Sequence, residues 1–144
     1  MTINKVVHVK RTPEDAFRLF VEEMGRWWPS HTGKFTYNAE KADDVILEAR
    51  VGGRFYERYK DGEEFDIGQV IAVERPQRIV FTWGAGARGE GTTEVEVRFA
   101  AEGDGTRVSL EHRDIEHLGE LAHSFDEGWD EVLGYYVRSA DAGN

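Results

Sequence analysis

Cysteine is absent from the 144 residues of the chain. Disulfides, thiolate metal ligands and thiol nucleophiles are therefore excluded together. Positive charge is short as well: 18 Lys and Arg stand against 28 Asp and Glu, a formal net charge of −10. Binding to nucleic acid or to an anionic membrane needs a basic footprint, so neither partner is expected. No apolar run approaches the ~18 residues of a membrane-spanning helix. The start, Met1-Thr2-Ile3-Asn4-Lys5, lacks the apolar stretch of a signal peptide, and a cytoplasmic location is the expectation. What is present in quantity is aromatic: rings make up 12% of the chain, too much for an acidic disordered segment. One domain over residues 1–144 is expected, because ~100–200 residues is the usual size of one.

Ile3 to Lys10 alternates like a strand. Thr12-Pro13-Glu14-Asp15 reads as a helix start, with a Thr cap, Pro at the first position and acids in the first turn. Ala16, Phe17, Phe20, Val21 and Met24 continue at helical spacing, and Gly25 is placed to end that helix. Residues 26–43 have no period, yet hold Trp27-Trp28-Pro29, His31, Phe35 and Tyr37. A connection with that much aromatic mass reads as a binding loop rather than a solvated linker. Strands are then predicted over 45–51, 54–60, 65–74, 78–83, 92–101 and 106–113. Asp61-Gly62 and Glu102-Gly103-Asp104-Gly105 supply turns. Thr93, Val95, Val97 and Phe99 face one way and Glu94, Glu96 and Arg98 the other, which predicts a sheet with one wet side. Leu118, Leu121, Ala122, Phe125, Trp129, Val132, Leu133 and Tyr136 form the stripe of a final long helix. Its start is open: Ser124 with Glu127 reads as a capping box, but the stripe begins earlier. Strand, helix, aromatic loop, about six strands and a long helix give an α+β fold, and a bent sheet around one helix leaves a wedge-shaped cavity.

Gly84-Ala85-Gly86-Ala87-Arg88-Gly89 matches the dinucleotide pattern, but that chemistry needs a helix next, and Thr92 to Phe99 has a strand period instead. A hairpin loop is the better reading. His8, His31, His112, His117 and His123 form no zinc spacing, so no metal is expected. No G-x-S-x-G elbow surrounds any serine. His112 shares a face with Val108 and Leu110 and should point inward, either as a hydrogen-bonded core histidine or as a ligand contact. If Phe55 points inward, Glu57 and Tyr59 do too. An inward Glu57 would need a partner such as His112 or an arginine; the alternative is a bend at Gly53 that turns Glu57 to water. The acids Glu94, Glu96 and Glu111 read as a solvated sheet face. The rings serve either as core or as cavity wall, Trp28 being favoured as a contact and Trp129, beside Gly128, as a packing anchor.

Gly52-Gly53-Arg54-Phe55-Tyr56-Glu57, Asp61-Gly62, Gly68-Gln69-Val70, Glu74-Arg75-Pro76 and Ile79-Val80-Phe81-Thr82-Trp83, in that order, resemble the Hsp90 ATPase activator-like (AHSA1-type) branch of the START/SRPBCC superfamily. Trp27-Trp28-Pro29 near His31, Leu110-Glu111-His112-Arg113 and Gly128-Trp129 add to the likeness. The resemblance implies the helix-grip (START/Bet v 1-like) fold, a curved antiparallel sheet wrapped around a long C-terminal helix over an apolar cavity. It implies an apolar or aromatic small molecule as partner, and homodimers in many members, but no catalytic motif and no cofactor. The candidate ligand contacts are Trp28, His31, Phe35, Glu57, Tyr59, Trp83, His112, Phe125 and Trp129. Binding of a small hydrophobic molecule is the leading expectation. A cyclase, dehydratase or hydrolase using the same cavity, and a co-chaperone-like interaction module, are the alternatives.

Overall fold

The computed structural model describes residues 2–84 and 92–142, with backbone alone at 117 and 118. Seven antiparallel strands form one sheet: β1 (Thr2–Val9), β2 (Ala42–Leu47), β3 (Arg54–Tyr59), β4 (Glu64–Glu74), β5 (Arg78–Trp83), β6 (Thr93–Glu102) and β7 (Gly105–Arg113). Their spatial order is β1-β7-β6-β5-β4-β3-β2, so the first strand pairs with the last and the rest is a meander. Register shifts interrupt β2–β3 at Ala42/Asp44, β3–β4 at Phe55/Tyr56 and β4–β5 at Val70/Ala72. Such bulges bend strands, and they concentrate curvature in the half of the sheet that carries the cavity.

Between β1 and β2 lie α1 (Pro13–Phe17), a wider π-helical turn over Arg18–Glu22, and α2 (Met24–Trp27). The Thr12 cap forms as the sequence predicts: its Oγ1 accepts from the Asp15 amide at 3.2 Å. Gly25 does not end the helix. It lies within α2, where a Cβ would come within 1.8 Å of Asp44 Oδ1. Its small size serves a close approach to β2, not a helix stop. The long helix α3 (Leu121–Asp141) spans 21 residues, about 30 Å. It starts at Leu121, three residues before Ser124, so the capping-box pair lies inside the helix and does not start it.

The apolar stripe of α3 packs into the concave face of the sheet, with Trp129, Val132, Leu133, Tyr136 and Ala140 buried. The Tyr136 hydroxyl donates to Ala16 O at 2.8 Å, joining α3 to α1. Lys5 reaches from β1 to Asp126 and Asp130 of α3, at 2.8 and 3.0 Å. Arg11 Nε donates to Ala140 O at 2.9 Å, placing a cation at the carbonyl end of the helix. Along β6, Thr93, Val95, Val97 and Phe99 are buried as the alternation predicts. The acids on the opposite face are less solvated than expected. Glu96 is buried because Arg78, Arg98 and Arg113 close on it from three strands at 2.6–2.7 Å.

Of the glycine-rich motif only Gly84 is described; the segment 85–91 lies outside the described residues. The next described element is strand β6. Among the described residues no group of His, Asp and Glu could hold a metal ion, and no helix is long and apolar enough to cross a membrane.

Candidate functional site

A cavity of about 260 Å³ lies between the bent half of the sheet and the first half of α3. Its wall is mostly aromatic: Trp28 and Phe35 from the loop after α2, Trp83 from the end of β5, Phe125 and Trp129 from α3. The three indoles form a triangle, with centroids 6.1 Å apart for Trp28–Trp83, 5.7 Å for Trp83–Trp129 and 6.2 Å for Trp28–Trp129. Gly128 opens the helix to this space. A Cβ there would meet Phe35 Cε1 at 3.3 Å, so the loop ring rests against the helix backbone.

The aperiodic loop is held by its own polar atoms. Trp28 Nε1 donates to Phe35 O at 2.8 Å, and Trp83 Nε1 donates to the Tyr37 hydroxyl at 3.1 Å. The Tyr37 ring packs on Phe65 at 4.9 Å. Buried indole N–H groups need acceptors; here those acceptors lie on the loop and fix its course over the cavity.

Among the described residues Glu57 is the one acidic side chain in the cavity wall. It is 2% exposed, so the bend that would have turned it to water does not occur. Its Oε1 accepts from Thr36 Oγ1 at 3.0 Å, the Tyr37 amide at 3.1 Å and the Tyr59 hydroxyl at 2.6 Å. Among the described residues its Oε2 receives only the shared Tyr37 amide at 3.2 Å. The expected pairing with His112 or an arginine is absent among the described residues. Three neutral donors hold Glu57 instead. Burial first, and Glu57 second, push the Tyr59 hydroxyl well above the ordinary phenol range, so it stays a donor.

His112 is fully buried but does not border the cavity. Its Nδ1 accepts from Trp129 Nε1 at 3.0 Å, which fixes the proton on Nε2; that N–H donates to Thr93 Oγ1 at 2.7 Å. Both ring nitrogens are thus used, which is why no Glu57 pair forms. Burial lowers the imidazole pKa from 6.5 to about 4, so it is neutral at pH 7. Its place is behind Trp129, holding that indole in the wall.

Of the residues singled out from sequence, Trp28, Phe35, Glu57, Trp83, Phe125 and Trp129 border the cavity. Tyr59 and His112 stand one bond behind it, through Glu57 and Trp129. His31 is exposed and lies apart, its ring 5.8 Å from that of Tyr135. Sequence reasoning missed Thr36, Tyr37, Ile67 and Val132 as wall residues. Val132 was visible in the helical stripe. Thr36 and Tyr37 carry no periodic signal that could have oriented them.

The family model for "Activator of Hsp90 ATPase homolog 1-like protein" matches residues 10–135. Among curated proteins none matches the sequence. The fold is similar to the Aha1 dimer from Colwellia psychrerythraea, at 16% identity and a TM-score of 0.75, covering 100% of this chain and 98% of that one. It is similar to an AHSA1-like protein from Aeromonas hydrophila, at 25% identity and a TM-score of 0.71, covering 99% and 93%. An anthrahydroquino-γ-pyrone synthase is 27% identical with a TM-score of 0.65, covering 95% of each chain. The curved sheet closed on a long C-terminal helix is the helix-grip arrangement of these relatives, and the chain belongs to the Activator of Hsp90 ATPase homolog 1-like protein family.

Proposed function

We propose that the chain binds a compact, largely aromatic small molecule in the cavity between the sheet and α3. The observation that carries this reading is the cavity itself: about 260 Å³, walled by three indoles and two phenyl rings, with one buried carboxylate among its described residues. A dry cavity of ~150 Å³ suffices for benzene, and drug-sized ligands use ~300–1,000 Å³. The space therefore suits one or two fused rings better than a long acyl chain or a sterol.

A second reading, an enzyme using the same cavity, draws on two observations. Glu57 and Tyr59 form a carboxylate–phenol pair at 2.6 Å in the wall, and a relative of similar fold at 27% identity is a synthase. Binding comes first in either case.

Indole is a suitable probe of the space. Calorimetric titration with indole is expected to give one saturable site in the native protein. In Gly128→Leu the new side chain occupies the space beside Phe35, while leucine favours the helix by about 1 kcal/mol relative to glycine. Indole affinity is expected to fall at least ~10-fold in that variant, with the fold retained by circular dichroism. Equal affinity in the two proteins would place indole elsewhere and overturn the cavity reading.

A further inference from the structure

Glu57 stands out because of what surrounds it. A buried carboxylate is costly unless its charge is met. Oε1 is saturated by Thr36, Tyr37 and Tyr59, whereas among the described residues Oε2 has only the shared amide at 3.2 Å. A carboxylate offers about four lone-pair sites, so acceptor capacity remains on a group that lines an otherwise aromatic space. Lys34, the cation among the described lining residues, is largely exposed and reaches out to Glu131 at 3.4 Å. Trp28, Trp83 and Trp129 border the same space, and an indole ring attracts a cation placed over it and not an anion. The net charge of −10 biases encounter in the same direction.

We propose that the ligand of this cavity is a compact aromatic amine in its ammonium form, the ammonium donating to Glu57 and the ring held among Trp28, Trp83 and Trp129. The proposal rests on the cavity reading and adds the charge and the donor. An ammonium supplies both things that Glu57 lacks, a positive charge and a further hydrogen-bond donor, and such charge-assisted bonds are roughly twice as strong as neutral ones. A hydroxyl on the same ring supplies only the donor, and a carboxylate supplies neither.

Three probes with one ring system separate these cases: tryptamine, tryptophol and indole-3-acetate, titrated calorimetrically at pH 7 into the native protein. Tryptamine is expected to bind at least ~10-fold more tightly than tryptophol, with indole-3-acetate the weakest. In Glu57→Gln, which keeps an acceptor for the three donors, tryptamine is expected to come within about threefold of tryptophol. Tryptophol binding as tightly as tryptamine in the native protein overturns the assignment. So does an amine preference that survives in Glu57→Gln, since it would then come from the acidic surface as a whole. Should the variant fail to fold, the order of the three probes on the native protein, repeated at 0.5 M NaCl, decides alone: a diffuse surface attraction is screened at that salt and a buried contact is retained. If indole binds saturably but the charge order is absent, the amine assignment falls and the cavity reading stands. If neither indole nor any of the three binds, both fall.

Discussion

Gly68→Ala is expected to cost about 3 kcal/mol of stability or more, the upper end of what overpacking produces. A Cβ at this position would lie 1.8 Å from Thr82 O and 2.6 Å from Thr82 C. Both are backbone atoms, so no side-chain rotation relieves the contact. The strands cannot simply part. Gln69 N donates to Thr82 Oγ1 at 2.9 Å on one side, and Gly84 N donates to Ile67 O at 2.9 Å on the other. Ile67 and Trp83, the neighbours of the two clashing residues, both border the cavity. The same close approach that would punish a methyl group therefore sets the spacing of the cavity wall. Gly62→Ala makes the contrast. Its φ of +90° strains an L residue, but its Cβ would meet nothing within 4 Å. Urea unfolding should show the midpoint of Gly68→Ala falling much further than that of Gly62→Ala at similar m-value. A loss below about 1 kcal/mol at Gly68 would contradict the described packing of β4 on β5.

Acid should destabilise the protein through His112 by about 2 to 3 kcal/mol between pH 7.5 and pH 4.5. In the folded chain burial holds this imidazole at about 4, against an ordinary value of 6.5. Between those two pH values the unfolded chain binds a proton that the folded chain refuses. Stability from this group is therefore complete above pH 6.5 and is lost progressively as pH falls toward 4. Protonation would place a second donor at Nδ1, facing the Trp129 N–H that it now accepts at 3.0 Å. His112→Gln removes the titration while retaining one donor and one acceptor. The stability difference between native protein and variant should narrow by about 2 to 3 kcal/mol on going from pH 7.5 to pH 4.5. Parallel pH dependences in the two proteins would mean that His112 is not a buried neutral base.

How far the site could be read from sequence depended on the kind of signal. Strand alternation oriented Glu57 from Phe55, and His112 from Val108 and Leu110, because side-chain direction along a strand is a local property. The partners of those residues were not legible. Glu57 is met by Thr36, Tyr37 and Tyr59, and the first two sit in an aperiodic loop whose course is set by tertiary hydrogen bonds. The burial of Glu96 depends on register, which lines up Arg78 with Arg98 and Glu96 with Glu111 across neighbouring strands; one strand alone carries no such information. Gly25 was misread for the same reason, since the group that needs its small size, Asp44, lies 19 residues away. The Thr12 cap and the α3 stripe were legible because both are local.

The most direct test of ligand binding in this cavity uses the four tryptophans as reporters. Trp28, Trp83 and Trp129 border the space. Trp27 does not; its Nε1 donates to Leu19 O at 2.9 Å in the core. Indole titrated into ¹⁵N-labelled protein should shift the side-chain N–H resonances of Trp28, Trp83 and Trp129 along one common saturation curve and leave that of Trp27 nearly still. Shifts that do not saturate, or that move Trp27 as much as the other three, would contradict a ligand site between the sheet and α3.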